Sequence, residues 1–264
     1  MREAGLQHCV SQTGARSLPS FSLQAVLYEP CAGCVVMYEC SASSKLGSSM
    51  MSTLLEVGQH TVLWMEWLGV AAFAVSGVVV AIRKKMDLVG ICVCGFLTAF
   101  GGGTLRDVLI DRRPFFWAEH QSVLLAVLLL CVGCATLIRV QDLERSERWL
   151  HLPDAIGLGV FCAIGLDLSW TSGQPPLVAI LMGVITGTFG GVLRDMVCNE
   201  VPRLFNDHGP YALCALAGGM LYGLLVWLDA PGWLPAVASA SLTTGLRIMT
   251  VWLDWKLPPI GHRD

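Results

Sequence analysis

The chain has 264 residues, of which 54% are hydrophobic and only 14% charged, and its mean hydropathy is +0.62. So apolar a composition excludes an ordinary soluble domain and implies a protein bathed in lipid. The formal net charge of -3 excludes the basic excess of a nucleic-acid surface, so no nucleic-acid partner is expected.

Residues 1–61 contain no apolar run long enough to span a bilayer. "ARSLPSFSLQ" and "CSASSKLGSSMMS" are Ser-rich, and Glu29 and Pro30 interrupt "LQAVLYEPCAGCVVMYEC", which therefore lacks the unbroken apolar stretch of a secretory signal. The segment reads as a disordered extension, with Met50 and Met51 as alternative starting points. From there on, windows of roughly 20 residues, enough to cross hydrocarbon, pick out seven candidate spans. They lie near 62–82, 88–110, 121–139, 155–170, 177–198, 211–229 and 234–253. The connections hold most of the charge and proline, as loops should. The apolar runs are continuous, without the alternation of a β-barrel. The expected fold is an all-α integral membrane protein, multi-pass in the cell (inner) membrane.

Repetition organises these spans. A displacement of 88 positions, the separation of Gly69 and Gly157, also aligns Phe73 with Phe161, Gly77 with Gly165, Gly95 with Gly183 and Thr98 with Thr186. Without a gap it aligns Gly102-Gly103 with Gly190-Gly191, Leu105-Arg106-Asp107 with Leu193-Arg194-Asp195, Pro114 with Pro202 and His120 with His208. Each unit holds three spans, and an odd number forces the second unit to enter from the opposite side. The reading is an extension (1–61), a first three-helix repeat (62–150), a second, inverted one (151–230), and a seventh helix with a tail (231–264). On one side of the membrane the loops and tail carry Arg83, Lys84, Lys85, Arg139, Arg145, Arg148, Arg203, Lys256 and Arg263; on the other lie chiefly Lys45, Arg112 and Arg113. The positive-inside rule then places the N-terminus outside and the C-terminus in the cytoplasm.

The second and fifth spans carry the chemistry. "FLTAFGGGTLRDVLI" and "VITGTFGGVLRDMVC" put glycines and an Arg-Asp pair into apolar runs. Glycine inside a helix costs about 1 kcal/mol relative to Ala, so a break or kink is expected at Gly101, Gly102 and Gly103 and at Gly190 and Gly191. Such breaks near the midplane of inverted halves point to a transport site; close helix packing is the alternative reading. Intramembrane charges face a partner or a cavity. Neighbouring helix positions point about 100° apart, so Arg106 and Asp107 are expected to need partners elsewhere. Glu66 and Asp167 share the outer half with Arg106, and Asp154 and Asp87 share the inner half with Arg194. The spacing names no partner for Arg247. The candidate pathway residues are Thr98, Gly101, Gly102, Gly103, Arg106, Asp107, Thr186, Gly190, Gly191, Arg194 and Asp195. His120 and His208, at loop ends, read as interfacial contacts. The Cys31/Cys34 and Cys131/Cys134 spacings lack a His or second Cys pair at ligand distance, so no metal or cofactor is expected. No nucleophile with its base appears in the spans, so neither is an enzyme.

Taken together, "GVAAFAVSG", "RKKMDLVG", "LTAFGGGTLRD", "DAIGLGVFCAIG", "ITGTFGGVLRD", "YALCALAGGMLYG" and "LRIMTVWLDWKLP" resemble the bacterial membrane family called the glycine transporter domain, prokaryotic relatives of the trimeric intracellular cation channels. The resemblance covers about residues 62–258. It implies seven helices, two inverted three-helix repeats, a homotrimer, and one hydrophilic pore per protomer lined by the second and fifth helices, which bend at their glycines. Phe189 stands in place of a third glycine and Glu66-Trp67 departs from the common pattern. The implied permeant is a monovalent cation, chiefly potassium. Glycine or another small amino acid is the alternative, its carboxylate on an Arg and its ammonium on an Asp. A non-conducting scaffold is the third reading.

Overall fold

The computed structural model describes residues 45–138, 147–206 and 210–255. The chain divides into two compact units, Met1–Ser52 and Thr53–Asp264; of the first, only residues 45–52, which are helical, are described. The helices are α1 (Lys45–Arg83), α2 (Leu88–Leu109), α3 (Phe116–Glu119), α4 (Gln121–Leu137), α5 (Glu147–Thr171), α6 (Pro176–Val197), α7 (Arg203–Asn206), α8 (Tyr211–Trp227) and α9 (Trp233–Trp252). Among the described residues there is no strand. A helix of 17 residues or more overlaps each of the seven expected positions. Four stretches, Thr61–Arg83, Leu88–Leu109, His151–Thr171 and Pro176–Val197, are long and apolar enough to cross a membrane, and α4 and α8 are shorter apolar helices. The first and fourth reach further than the hydropathy window suggested. α1 begins at Lys45, within the stretch read as an extension, and α5 begins at Glu147 and passes through Pro153. The rest of the extension lies outside the described residues.

The 88-residue repeat is visible in the backbone. Two residues past the ends of α2 and α6, Asp111 and Asn199 are both left-handed at φ 53°, a conformation that Asp and Asn adopt more readily than other side chains. The amide of Arg112 then closes on the Asp107 carbonyl and that of Glu200 on the Asp195 carbonyl, each at 2.8 Å. The stacked rings of Phe73 and Phe161, 5.2 Å apart, are also repeat equivalents, so the pair marks the pseudo-two-fold relation between the halves. At the opposite end from α3, Lys84 pairs with Glu200 at 2.7 Å, which joins the α1–α2 turn to the end of α6. That ammonium's hydrogen bond holds the Glu200 carboxyl below its ordinary range.

α2 and α6 run through their glycines without interruption, so of the expected break or kink the break is absent. The missing side chains let the two helices approach each other. A Cβ on Gly102 would run into the Thr186 carbonyl, one on Gly190 would strike the Thr98 carbonyl, and one on Gly101 would meet Leu193. Small residues that admit a neighbouring backbone are a general device of helix packing in lipid, where apolar burial supplies no drive between helices. Tertiary contact thus outweighs the local helix cost of glycine.

Gly102→Ala should therefore lower the stability of the detergent-solubilised protein by about 1–3 kcal/mol through overpacking. Gly133→Ala, where an added Cβ meets nothing within 4 Å, should be neutral or stabilising by up to about 1 kcal/mol. Thermal unfolding of the two variants side by side checks this, and equal behaviour would remove the packing role from Gly102.

Candidate functional site

Two fully buried guanidinium groups sit in the last turns of α2 and α6, on either side of the α2–α6 crossing. Arg106 Nε donates to Asp107 Oδ1 at 2.9 Å, and Arg194 Nε donates to Asp195 Oδ1 at 2.9 Å. This corrects the expectation that neighbouring positions could not satisfy each other. The Cβ directions diverge as helical geometry requires, but the Arg side chain is long enough to curl back around the helix onto the short Asp. Each pair is therefore self-neutralising.

Beyond this shared core the halves differ. In the α5–α6 half, Arg194 Nη1 donates to Ser76 Oγ at 2.6 Å and to Asp154 Oδ1, so the expected pairing with Asp154 is present. Asp195 Oδ2 also accepts the Arg203 amide at 2.9 Å. In the other half Glu66, the repeat equivalent of Asp154, comes only within 3.9 Å of Arg106 Nη2. Arg106 Nη2 lies 2.8 Å from Asp107 Oδ1, but off the hydrogen-bonding direction. Among the described residues neither terminal nitrogen of Arg106 has a hydrogen-bond partner. The position equivalent to Ser76 is Ile164, which has no hydroxyl to offer.

Arg106 lines a small cleft beside α3, together with Glu66, Gly103, Asp107, Phe100 and Trp117. Trp117 Nε1 donates to Thr104 Oγ1 at 3.2 Å, fixing the indole as one wall. Of the charged residues in the cleft's largely apolar and aromatic lining, two are acidic, Glu66 and Asp107, and one is basic, Arg106.

The other sequence candidates fall as follows. The hydroxyls of Thr98 and Thr186 donate one turn back, to the carbonyls of Cys94 and Met182, each at 2.6 Å, and pack toward Gly77 and Gly165. Their carbonyls, not their hydroxyls, face the crossing. Asp167 does not meet Arg106; it accepts from the Tyr222 hydroxyl at 2.6 Å. Asp87 caps α2 by accepting from the Gly90 amide at 2.8 Å rather than reaching Arg194. Arg247 lies over the Tyr211 ring, 4.6 Å from its centroid. His120 stacks on Phe116, with ring centroids 4.7 Å apart; His208 is outside the described residues. Sequence reasoning missed Tyr211, whose signal was available as a non-identical pair, Tyr211 against Val123, within the repeat.

A family model described as "Glycine transporter" matches residues 63–139 and again 151–227, two copies at the spacing of the internal repeat. The inner membrane protein YadS of Escherichia coli strain K12 is 34% identical over 199 residues, covering 75% of this chain and 95% of that protein. The membrane protein YvgT of Bacillus subtilis strain 168 is 32% identical, covering 74% and 95%. Among solved structures, one from a study of conductance through TRIC cation channels aligns with TM-score 0.68 at 31% identity, covering 76% of this chain and 97% of that one. The TRIC trimeric intracellular cation channel orthologue from Rhodobacter sphaeroides aligns with TM-score 0.67 at 33% identity, covering 74% and 98%.

The uneven partnering predicts uneven costs. Arg194→Gln strips a buried guanidinium from two carboxylates and should destabilise by about 3–5 kcal/mol. Arg106→Gln, which removes an ion pair with Asp107 but only a 3.9 Å approach to Glu66, should lose measurably less. Thermal unfolding in detergent reads the difference, and equal losses would contradict the assigned asymmetry.

Proposed function

The chain belongs to the glycine transporter family, and from that membership we propose that it is a channel conducting monovalent cations, potassium above all, through each protomer of a homotrimer. It is a multi-pass membrane protein and not an enzyme, as its relatives are membrane proteins and channels. The observation that carries the cation reading is the charge arithmetic of the cleft. A lone Arg106 would repel a cation; Asp107, at 2.9 Å, cancels it, and Glu66 is left facing the cavity. A low-dielectric, aromatic-walled cleft with one surplus carboxylate concentrates cations. The names of the structural relatives as cation channels support the same reading.

In this proposal the pathway follows the α2–α6 crossing, past Gly101, Gly102, Gly103, Arg106 and Asp107 on one side and Gly190, Gly191, Arg194 and Asp195 on the other. The carbonyls of Thr98 and Thr186 stand at its middle. Dehydrated cations are stabilised by backbone carbonyls of this kind. The crossing is in backbone contact, so conduction requires α2 and α6 to part there. The protein lies in the cell (inner) membrane, with the N-terminus outside and the cleft beside α3 opening outward, as the loop charges imply.

A second reading, transport of glycine or another small amino acid, draws on the two unused donors of Arg106 beside Glu66. That juxtaposition offers a carboxylate and an ammonium each a partner, and the family's name points the same way. Potassium flux and labelled-glycine uptake measured on the same proteoliposomes separate the two. The proposal expects potassium flux that scales with protein and no saturable glycine signal; saturable glycine uptake without potassium flux would reverse the order.

A further inference from the structure

We infer that Tyr211 is the stopper of the inner mouth, filling at that end the space that the other repeat leaves unfilled beside Gly103. The inference rests on the pathway proposed above and adds how one end of it is closed.

The repeat supplies the comparison. The same 88-residue displacement that pairs Arg106 with Arg194 pairs Gly103 with Gly191 and Val123 with Tyr211. Burial confirms the register of the two helices: Val123, Val127 and Cys131 of α4 are buried, as are their equivalents Tyr211, Ala215 and Gly219 of α8. At Gly103 an added Cβ would have Arg106 Nη2, 3.8 Å away, as its nearest neighbour, and this glycine lines the cleft. At Gly191 the same point is ringed by the Tyr211 hydroxyl at 3.2 Å, Arg194 Nη2 at 3.6 Å and Asp154 Oδ1 at 3.7 Å. The phenol end of Tyr211 therefore stands where the other repeat has open space, because its equivalent, Val123, is too short to reach.

The stopper is held without a hydrogen bond. Among the described residues the Tyr211 hydroxyl has no partner, and neither does Asp154 Oδ2 nearby. Buried hydroxyls are normally paired, so the ring is retained by packing and by the Arg247 guanidinium over its face. A phenol whose hydrogen bond is unmade when buried and made in water is poised to swing out. The arrangement is a one-sided closure, built by placing an aromatic residue in one repeat and an aliphatic one in the other.

Site-resolved labelling of purified protein with a water-soluble maleimide tests this, the modified peptides being identified by mass spectrometry so that native cysteines do not interfere. The Gly103→Cys variant should react at least an order of magnitude faster at its new thiol than Gly191→Cys. Adding Tyr211→Val to Gly191→Cys should raise its rate to within a few-fold of the Gly103→Cys rate. Adding Tyr211→Phe, which keeps the ring under Arg247 and removes only the hydroxyl, should give an intermediate rate and decides the matter if the Val variant does not fold. Equal rates at the two glycine positions with Tyr211 in place, or no change on either substitution of Tyr211, would overturn the inference. Labelling needs no permeant ion, so an absence of potassium flux would sink the channel reading without touching this result.

Discussion

Two arginines buried inside the protein, in the last turns of α2 and α6, must be neutralised from within it, and the rest of the site depends on how that is done. Each curls back onto the aspartate that follows it, at 2.9 Å in both repeats. A carboxylate one residue away is carried by the same helix, so the neutral unit survives any movement of α2 against α6. Partners on other helices are then free to differ. Asp154 is drawn into contact with Arg194 while Glu66 stays 3.9 Å from Arg106, and that difference leaves one half closed around its charges and the other facing a cleft. Had the arginines depended on Glu66 and Asp154 alone, no surplus carboxylate would remain to favour a cation.

The glycine motifs set the distance at which these units work. Because Gly102 and Gly190 admit the carbonyls of Thr186 and Thr98, the two helices cross in backbone contact, and the Arg-Asp units lie about a turn from the crossing on opposite sides. Phe73 and Phe161 stack between the repeats, and a Cβ on Gly190 would also come within 3.1 Å of the Phe73 ring. The crossing, the ring stack and the charge units thus form one connected core. Interactions of this density have discrete alternatives rather than continuous play.

Much of this was legible in the sequence, for reasons that can be named. Span positions follow from hydropathy, the inverted repeat from an 88-residue displacement, and the Arg194–Asp154 pairing from placing charges in halves of the bilayer. The Arg106–Asp107 contact was not legible because helical angles describe Cβ directions, not the reach of a long side chain. The uninterrupted glycine helices were not legible because propensity counts the local cost, whereas the compensating contacts come from the other repeat, Thr186 for Gly102 and Thr98 for Gly190. The early start of α1 escaped because residues 45–61 are helical without being apolar enough to register as a span. Tyr211 escaped because attention went to identities between repeats, whereas Val123 and Tyr211 are a pair that differs.

The central claim is that ions pass where α2 crosses α6. Single-channel recording in planar bilayers under a potassium chloride gradient tests it most directly, comparing the unmodified protein with Gly102→Leu. The account predicts unitary currents reversing toward the potassium equilibrium potential, and their disappearance in a Gly102→Leu protein that still assembles. Unchanged unitary currents in that variant, or reversal toward the chloride potential, would contradict it.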